Sequence, residues 1–416
     1  MNITSVTIVA FGIFLFSLVS SRLRQSVVTA PMVFALFGLL IGDAGFGLIG
    51  FQFGNGAIHL LTELTLVVVL FTDASRIDLK LLRREHNLPV RLLAIGLPIS
   101  IALGTFAAWF LFEELNLWQA AALATIVAPT DAALAHVVVT NKLVPVRIRQ
   151  AISVESGLND GLCLPLFVFF LCGARIAEHP ETATYWIQFV TMQVGLGPLV
   201  GIGVGYAGGK LVEYASFRKW ISHSFLELTT LALALLAYGA AELVGGNGFI
   251  AAFCAGLAVG SVSRTLCVAI REFAEAEGQL LTLLVFLCFG AVLIPMAFEN
   301  ITWTGFFYSV MGLTVLRMFP VAISLVGTKL RPETRLFVGW FGPRGVASIV
   351  FALMLLDETA VPAHKEMFAV AMATVAISVV SHGLTAYPLA KWYAGRTEAM
   401  KDAGSAIENE PITEMP

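Results

Sequence analysis

Apolar residues run for about twenty positions at a time, with few polar interruptions, along most of this 416-residue chain. A helix rises about 1.5 Å per residue, so each run matches the roughly 30 Å hydrocarbon core of a bilayer. Thirteen such segments are predicted: 3–21, 27–49, 57–75, 88–112, 117–140, 148–173, 184–209, 220–243, 247–263, 276–297, 302–328, 335–356 and 364–390. Strands of an outer-membrane barrel alternate apolar and polar residues over about ten positions, a pattern these runs lack. The expected fold is an all-α polytopic membrane protein. One membrane domain spans 1–393, and a short polar tail, 394–416, is expected to be disordered and cytoplasmic.

Composition agrees, with 58% hydrophobic and only 13% charged residues, where soluble domains carry about 25% charged. That excludes a soluble enzyme and a nucleic-acid-binding protein. No nucleotide, flavin or metal-cofactor motif is present, so no cofactor is expected and the chain is not read as an enzyme. Cys163, Cys172, Cys254, Cys267 and Cys288 lie in or beside apolar runs without a CxxC pair and read as small buried hydrophobes.

The net charge of −3 matters less than where the charges sit. Of 25 lysines and arginines, 21 fall on one set of alternate loops, beginning with Arg22 and Arg24. Arg175 and Lys365 fall on the other set, and Arg317 and Arg344 lie inside segments. Cytoplasmic loops hold the basic excess, so the N-terminus is expected outside and the C-terminus inside the cell membrane. The first segment has its basic residues after it rather than before, unlike a signal peptide, and reads as a retained helix.

Ionisable groups inside a span cost about 2.5–3.5 kcal/mol each and mark function by default. Six stand out: Asp73, Asp131, Glu155, Asp160, Arg317 and Arg344. At about 1.5 Å per residue from the cytoplasmic flank, Asp131, Asp160, Arg317 and Arg344 lie roughly 14–20 Å deep, on four different helices. Asp73 is shallower. Two segments carry a proline beside such a charge: Ala128-Pro129-Thr130-Asp131 and Gly342-Pro343-Arg344-Gly345. Proline removes a backbone donor and clashes with the preceding turn, so both helices should be interrupted near the midplane. Interrupted helices at membrane depth are tolerated where they line a cavity or are covered by protein, and a matched pair marks a transporter's binding site. The breaks are seven segments apart, so their helices cross in opposite directions, as an inverted repeat requires.

Between them stands Glu155-Ser156-Gly157-Leu158-Asn159-Asp160. Ser156 and Asp160, at i and i+4, share one helix face, with Glu155 and Asn159 about 100° round. Asp160, Asp131, the Ser156 hydroxyl and a carbonyl freed near Thr130 could together give a hard cation its oxygen ligands.

Residues 128–162, APTDAALAHVVVTNKLVPVRIRQAISVESGLNDGL, resemble the sodium/proton exchanger branch of the monovalent cation:proton antiporters. Ser156 to Gly161 is similar to its Asn-Asp motif, Gly342 to Ala347 to its Gly-x-Arg-Gly segment, and Leu70 to Ala74 to its acidic third-helix motif. The resemblance implies a homodimer, with an ion-binding bundle around segments 3–6 and 10–13 and the others as scaffold. It implies exchange of Na+ (or Li+, or in the alternative K+) for H+ by alternating access. Asp160 would be the shared cation and proton carboxylate, Asp131, Ser156 and Thr130 co-ligands, and Asp73 a more distant or water-mediated one. Asn159 would stabilise the crossing, and Glu155 would pair with Arg317 or, second, Arg344. Neutral Asn159 stands where two-proton antiporters usually carry a second aspartate, implying a 1:1 electroneutral cycle. Ala132 departs from a proline common in the family, so the break leans on Pro129.

A cation channel is the competing class, but channels more often build acidic rings from a symmetric oligomer. An intramembrane hydrolase would need a water-activating aspartate pair with peptide access, which Ser-x-x-Asn-Asp fits less well. His136 and His382 read as satisfied polar residues. Gly201, Gly203, Gly205, Gly208 and Gly209 read as close-packing positions.

Overall fold

The computed structural model describes residues 3–23, 26–49, 56–77, 87–131, 134–141, 144–178, 183–273 and 277–401. All regular structure among them is helical. In chain order the helices are α1 (Ile3–Leu23), α2 (Ala30–Ile41), α3 (Ala57–Ser75), α4 (Asn87–Leu111), α5 (Leu117–Ile126), α6 (His136–Val139), α7 (Val146–Glu178) and α8 (Ala183–Phe217). Then follow α9 (His223–Leu243), α10 (Gly248–Val262), α11 (Arg264–Phe273), α12 (Gln279–Phe298), α13 (Trp303–Ser324), α14 (Pro332–Trp340), α15 (Val346–Leu356) and α16 (His364–Lys401). Each of the thirteen predicted segments contains a helix. Among the described residues nine are long and apolar enough to cross a bilayer, and α2, α5, α10 and α15 are shorter apolar helices. The last helix runs to Lys401, beyond the expected start of the tail, and residues 402–416 lie outside the described residues.

Local chemistry sets the helix ends. Asn116 and Gln119 form a reciprocal capping box at the start of α5, with bonds of 3.0 and 2.8 Å. Asn247 caps α10 and Thr302 caps α13, each accepting from a backbone N–H at 3.0 Å. Both α4 and α12 contain a wide turn, Leu92–Gly96 and Phe289–Leu293, just ahead of Pro98 and Pro295. Proline cannot donate to the carbonyl four residues back, and a local shift to i→i+5 bonding absorbs the mismatch.

Glycine governs how closely helices approach. A Cβ at Gly197, Gly201 or Gly205 of α8 would overlap or crowd the α10 carbonyls of Asn247, Ala251 and Ala255. Gly256 and Gly260 of α10 meet the α3 carbonyls of Phe71 and Ser75 in the same way. Without the hydrophobic effect between helices in lipid, such contact by small residues supplies the packing. Among the glycines predicted to pack closely, Gly201 and Gly205 meet backbone and Gly208 meets the Leu233 side chain. Gly203 faces open space, and Gly209 has ordinary contacts only.

The largest buried apolar cluster joins residues of α2, α3, α7, α10, α15 and α16, including Phe71, Phe167, Phe253, Phe351 and Phe368. A second, smaller cluster gathers the ends of α4, α7, α13, α14 and α16, with Leu88, Ile152, Val321, Phe341 and Tyr393. By contrast α1 buries only Ser5 and presents apolar side chains outward, as lipid contact requires.

Candidate ion site

The two predicted interruptions are present and they meet. Between α5 and α6 the described chain at 127–131 is non-helical, as is 341–345 between α14 and α15. The Asp131 N–H donates to the Pro343 carbonyl at 2.7 Å, tying one break to the other. Each break then satisfies the other's exposed backbone. The Asp131 carboxylate accepts the N–H of Val346, the first residue of α15, at 2.9 Å and that of Leu134 at 3.1 Å. In return Arg344 Nη1 donates to the carbonyls of Ala128 at 2.6 Å and Pro129 at 3.1 Å, at the C-terminal end of α5. A negative group at a helix N-terminus and a positive one at a C-terminus also oppose the helix dipoles. Ser348 adds a bond to the Ile126 carbonyl at 2.7 Å. Gly345 has no alternative here, because a Cβ would overlap the Asp131 carboxylate.

Helix α7 passes beside this crossing unbroken. Asn159 Nδ2 donates to Thr130 Oγ1 at 2.6 Å, and the Thr130 and Ser156 hydroxyls lie 3.0 Å apart. Asp160, one position on, is 6% exposed, and its Oδ1 has no hydrogen-bond partner. Asp131 and Asp73 lie within electrostatic reach of that carboxylate, as does Arg344. Asp73 of α3 stands against Gly157, one turn before Asp160, and is half-buried. On the other side, the Phe253 ring of α10 fills the space left by Gly161.

Glu155, on the neighbouring face of α7, is held by both terminal nitrogens of Arg317, the second contact at 2.8 Å. Arg317 lies beyond a kink at Thr314 in α13, and its guanidinium packs where a Cβ on Gly342 would stand. Both charges are buried, and such a pair is strongly destabilising once one partner is lost, by about 3–5 kcal/mol. Arg344 does not share this pair. Its bonds go to backbone carbonyls.

The structure thus brings Asp131, Thr130, Ser156, Asn159, Asp160 and Arg344 into one buried cluster, with Asp73 at its edge and Glu155–Arg317 alongside. The carbonyl expected to be freed at the break is only partly free, because those of Ala128 and Pro129 are occupied by Arg344. Ala132 and the His136 side chain lie outside the described residues. Ser348, Ser378 and Trp340, not singled out from the sequence, bond to the breaks. Their signal was hydroxyl and indole groups within or at the end of apolar segments. Glu63 and His59 also lie inside the third segment but are not among the six charges. They sit toward the end of α3 opposite Asp73, where His59 meets Asp357 at 3.5 Å.

An all-helical bundle with two crossed, interrupted helices around a buried carboxylate has the architecture of a secondary transporter. The model of the sodium/hydrogen exchanger family, transmembrane, matches residues 7–392, and the chain belongs to that family. The K(+)/H(+) antiporter NhaP of Alkalimonas amylolytica is 27% identical over 411 residues, 97% of this chain and 69% of that one. A Na(+)/H(+) antiporter of Schizosaccharomyces pombe is 25% identical over 362 residues, covering 80% and 74%. The chain spans 64% of a further relative, the K(+)/H(+) antiporter NhaP2 of Shewanella baltica. The structure of the sodium proton antiporter MjNhaP1 from Methanocaldococcus jannaschii superimposes with a TM-score of 0.76 at 19% identity, covering 94% of this chain and all of that one.

Proposed function

We propose that this protein exchanges a monovalent cation, Na+ first and Li+ with it, for a proton across the cell membrane by alternating access. The observation that carries the reading is Asp160, a buried carboxylate with an unbonded oxygen beside the Ser156 and Thr130 hydroxyls. A buried carboxylate must be neutralised by a proton or a cation. Competition for one group couples the two fluxes, provided the empty charged site does not cross. Ser156 and Thr130 supply neutral oxygens. Asp131, which accepts the backbone N–H groups of Val346 and Leu134, contributes charge, and Asp73 acts from the edge. Asn159 and the Glu155–Arg317 pair hold the scaffold. A homodimer in the lipid bilayer, with the N-terminus outside and a role in pH homeostasis, belongs to the same reading.

K+ is the second candidate cation, favoured by the names of the Alkalimonas and Shewanella relatives. Purified protein in proteoliposomes, given Na+, Li+ or K+ in turn with an internal pH dye, separates the two. Asp160→Asn is expected to abolish exchange by every cation while leaving the protein monodisperse. Retained exchange would remove Asp160 from the centre. Because the position before Asp160 is neutral, clamping the membrane potential at different values is expected to leave the equilibrium cation gradient unchanged. A gradient that follows the potential overturns 1:1 stoichiometry.

A further inference from the structure

Helix α16 supplies a second set of contacts to the α14–α15 break, and neither the ion site nor the Asp131–Arg344 exchange of caps uses them. The Arg344 N–H donates to Ser378 Oγ at 2.7 Å. Ser378 Oγ lies 3.1 Å from His382 Nδ1, one helical turn on. His382 Nε2 lies 2.8 Å from the carbonyl of Trp340, the last residue of α14. The imidazole also stacks on the Trp340 ring with centroids 5.1 Å apart, and the indole Nε1 donates to Thr385 Oγ1 at 2.9 Å. His382 is 1% exposed and Ser378 fully buried. A pair spaced i, i+4 on one helix therefore grips both ends of the non-helical stretch, an acceptor at Trp340 and a donor at Arg344.

The partners favour one placement of the protons. The Trp340 carbonyl can only accept, so a neutral imidazole this close must carry its proton on Nε2. Nδ1 is then bare and needs a donor. The Ser378 hydroxyl is that donor, because its oxygen already receives the Arg344 N–H and its single proton is left to give. The bonds run in one direction: Arg344 N–H to Ser378, Ser378 O–H to His382 Nδ1, and His382 Nε2–H to the Trp340 carbonyl. The other tautomer would give an Nδ1–H to the Ser378 carbonyl, 3.0 Å away, but would leave Nε2 facing the Trp340 carbonyl lone pair against lone pair. Only the Nε2–H form gives both ring nitrogens a bond, because Nδ1 alone has a hydroxyl beside it.

We propose that His382 is a positioning residue for ion exchange: as the neutral Nε2–H tautomer, linked through Ser378, it holds Trp340 and Arg344 in register across the second break and so aims the Arg344 guanidinium at the first. The consequence reaches the ion site indirectly. Arg344 caps Ala128 and Pro129, the two residues before Thr130, so a slackened Arg344 backbone displaces Thr130 from Ser156 and loosens the cation's surroundings. Asp160 itself keeps its place on the unbroken α7. The cation KM should therefore respond before the maximal rate.

The inference rests on the exchange activity proposed above, which wild-type proteoliposomes test on their own. The tautomer is read without any transport assay. Full-length protein labelled with 15N-histidine, with the His382 signal identified by its loss in His382→Gln, is expected to show a protonated Nε2 and an unprotonated Nδ1. A Nδ1–H tautomer or an imidazolium at neutral pH overturns the assignment. In exchange assays His382→Gln, whose amide nitrogen can reach the Nε2 position, is expected to keep KM within about threefold of wild type. His382→Asn is too short to reach Trp340 and is expected to raise KM about tenfold, with Ser378→Ala close behind. The double variant Ser378→Ala/His382→Asn should be little worse than His382→Asn, since both cut one chain of bonds. Wild-type KM in monodisperse His382→Asn, or additive effects in the double variant, refutes the positioning role. A purely structural contribution would lower melting temperature and yield in all these variants without separating Gln from Asn. If His382→Asn does not fold, Ser378→Ala and the 15N spectrum still decide.

Discussion

The two interrupted helices invite comparison because both break at a proline beside a charge, yet the charges and supports differ. The first break ends in a carboxylate, Asp131, with no arginine of its own; the second carries Arg344 and two glycines but no acid. The first break lacks a donor for its loose carbonyls and the second an acceptor for the first N–H of α15, and each finds it in the other. The difference extends to their neighbours. The first break leans on α7 through Thr130, Asn159 and Ser156, while the second leans on α16 through Ser378 and His382. The face toward α7 carries the proposed cation site, and the face toward α16 is held by Ser378 and His382.

Substitutions that remove one side of this exchange measure how unequal the two breaks are. The largest effect is expected from Arg344→Met, which leaves the Ala128 and Pro129 carbonyls buried without a donor. At about 1–3 kcal/mol for each unsatisfied group, the thermal midpoint in detergent should fall well below that of wild type, and exchange should be lost. An unchanged midpoint would mean that water or another donor replaces the guanidinium. Next comes Asp131→Asn, where one amide oxygen can still accept but the amide nitrogen opposes a backbone N–H. A loss of about 1–3 kcal/mol is expected, and the cation KM measured beside it separates capping from ligation: a raised KM means that the lost charge served the ion. Ser348→Ala should cost least, about 0.5–1.5 kcal/mol for a single bond to the Ile126 carbonyl, with exchange kinetics near wild type. A Ser348→Ala effect as large as that of Arg344→Met would show that the first break depends on α15 rather than on the charged cap.

Much of this architecture was legible beforehand, for identifiable reasons. Charges and prolines are rare at membrane depth, so Pro129, Asp131, Pro343 and Arg344 stood out against apolar surroundings. The helical period alone put Ser156 and Asp160 on one face. Partner choice was not legible. One glutamate faced two arginines at similar depth, and only the fold shows that α13, kinked at Thr314, delivers Arg317 to Glu155 while Arg344 turns to carbonyls. The capping of α15 by Asp131 joins residues 215 positions apart and leaves no local signature. Ser348 and Ser378 were hidden because serine is common in apolar helices, where it usually bonds its own preceding turn.

The glycine contacts along α10 bear on which parts of the molecule can shift past one another. Where Gly201 and Gly205 bring α8, and Gly256 and Gly260 bring α3, into touch with a neighbouring backbone, the surfaces interlock like teeth. Sliding by one residue would drive a Cβ into a carbonyl. Helices α3, α8 and α10 therefore behave as one raft. Its tightest contacts with α7 are of another kind: the Phe253 ring rests over Gly161 and the Asp73 side chain stands against Gly157. Movement along that seam is met by side chains, which can rotate, and movement inside the raft by carbonyls, which cannot.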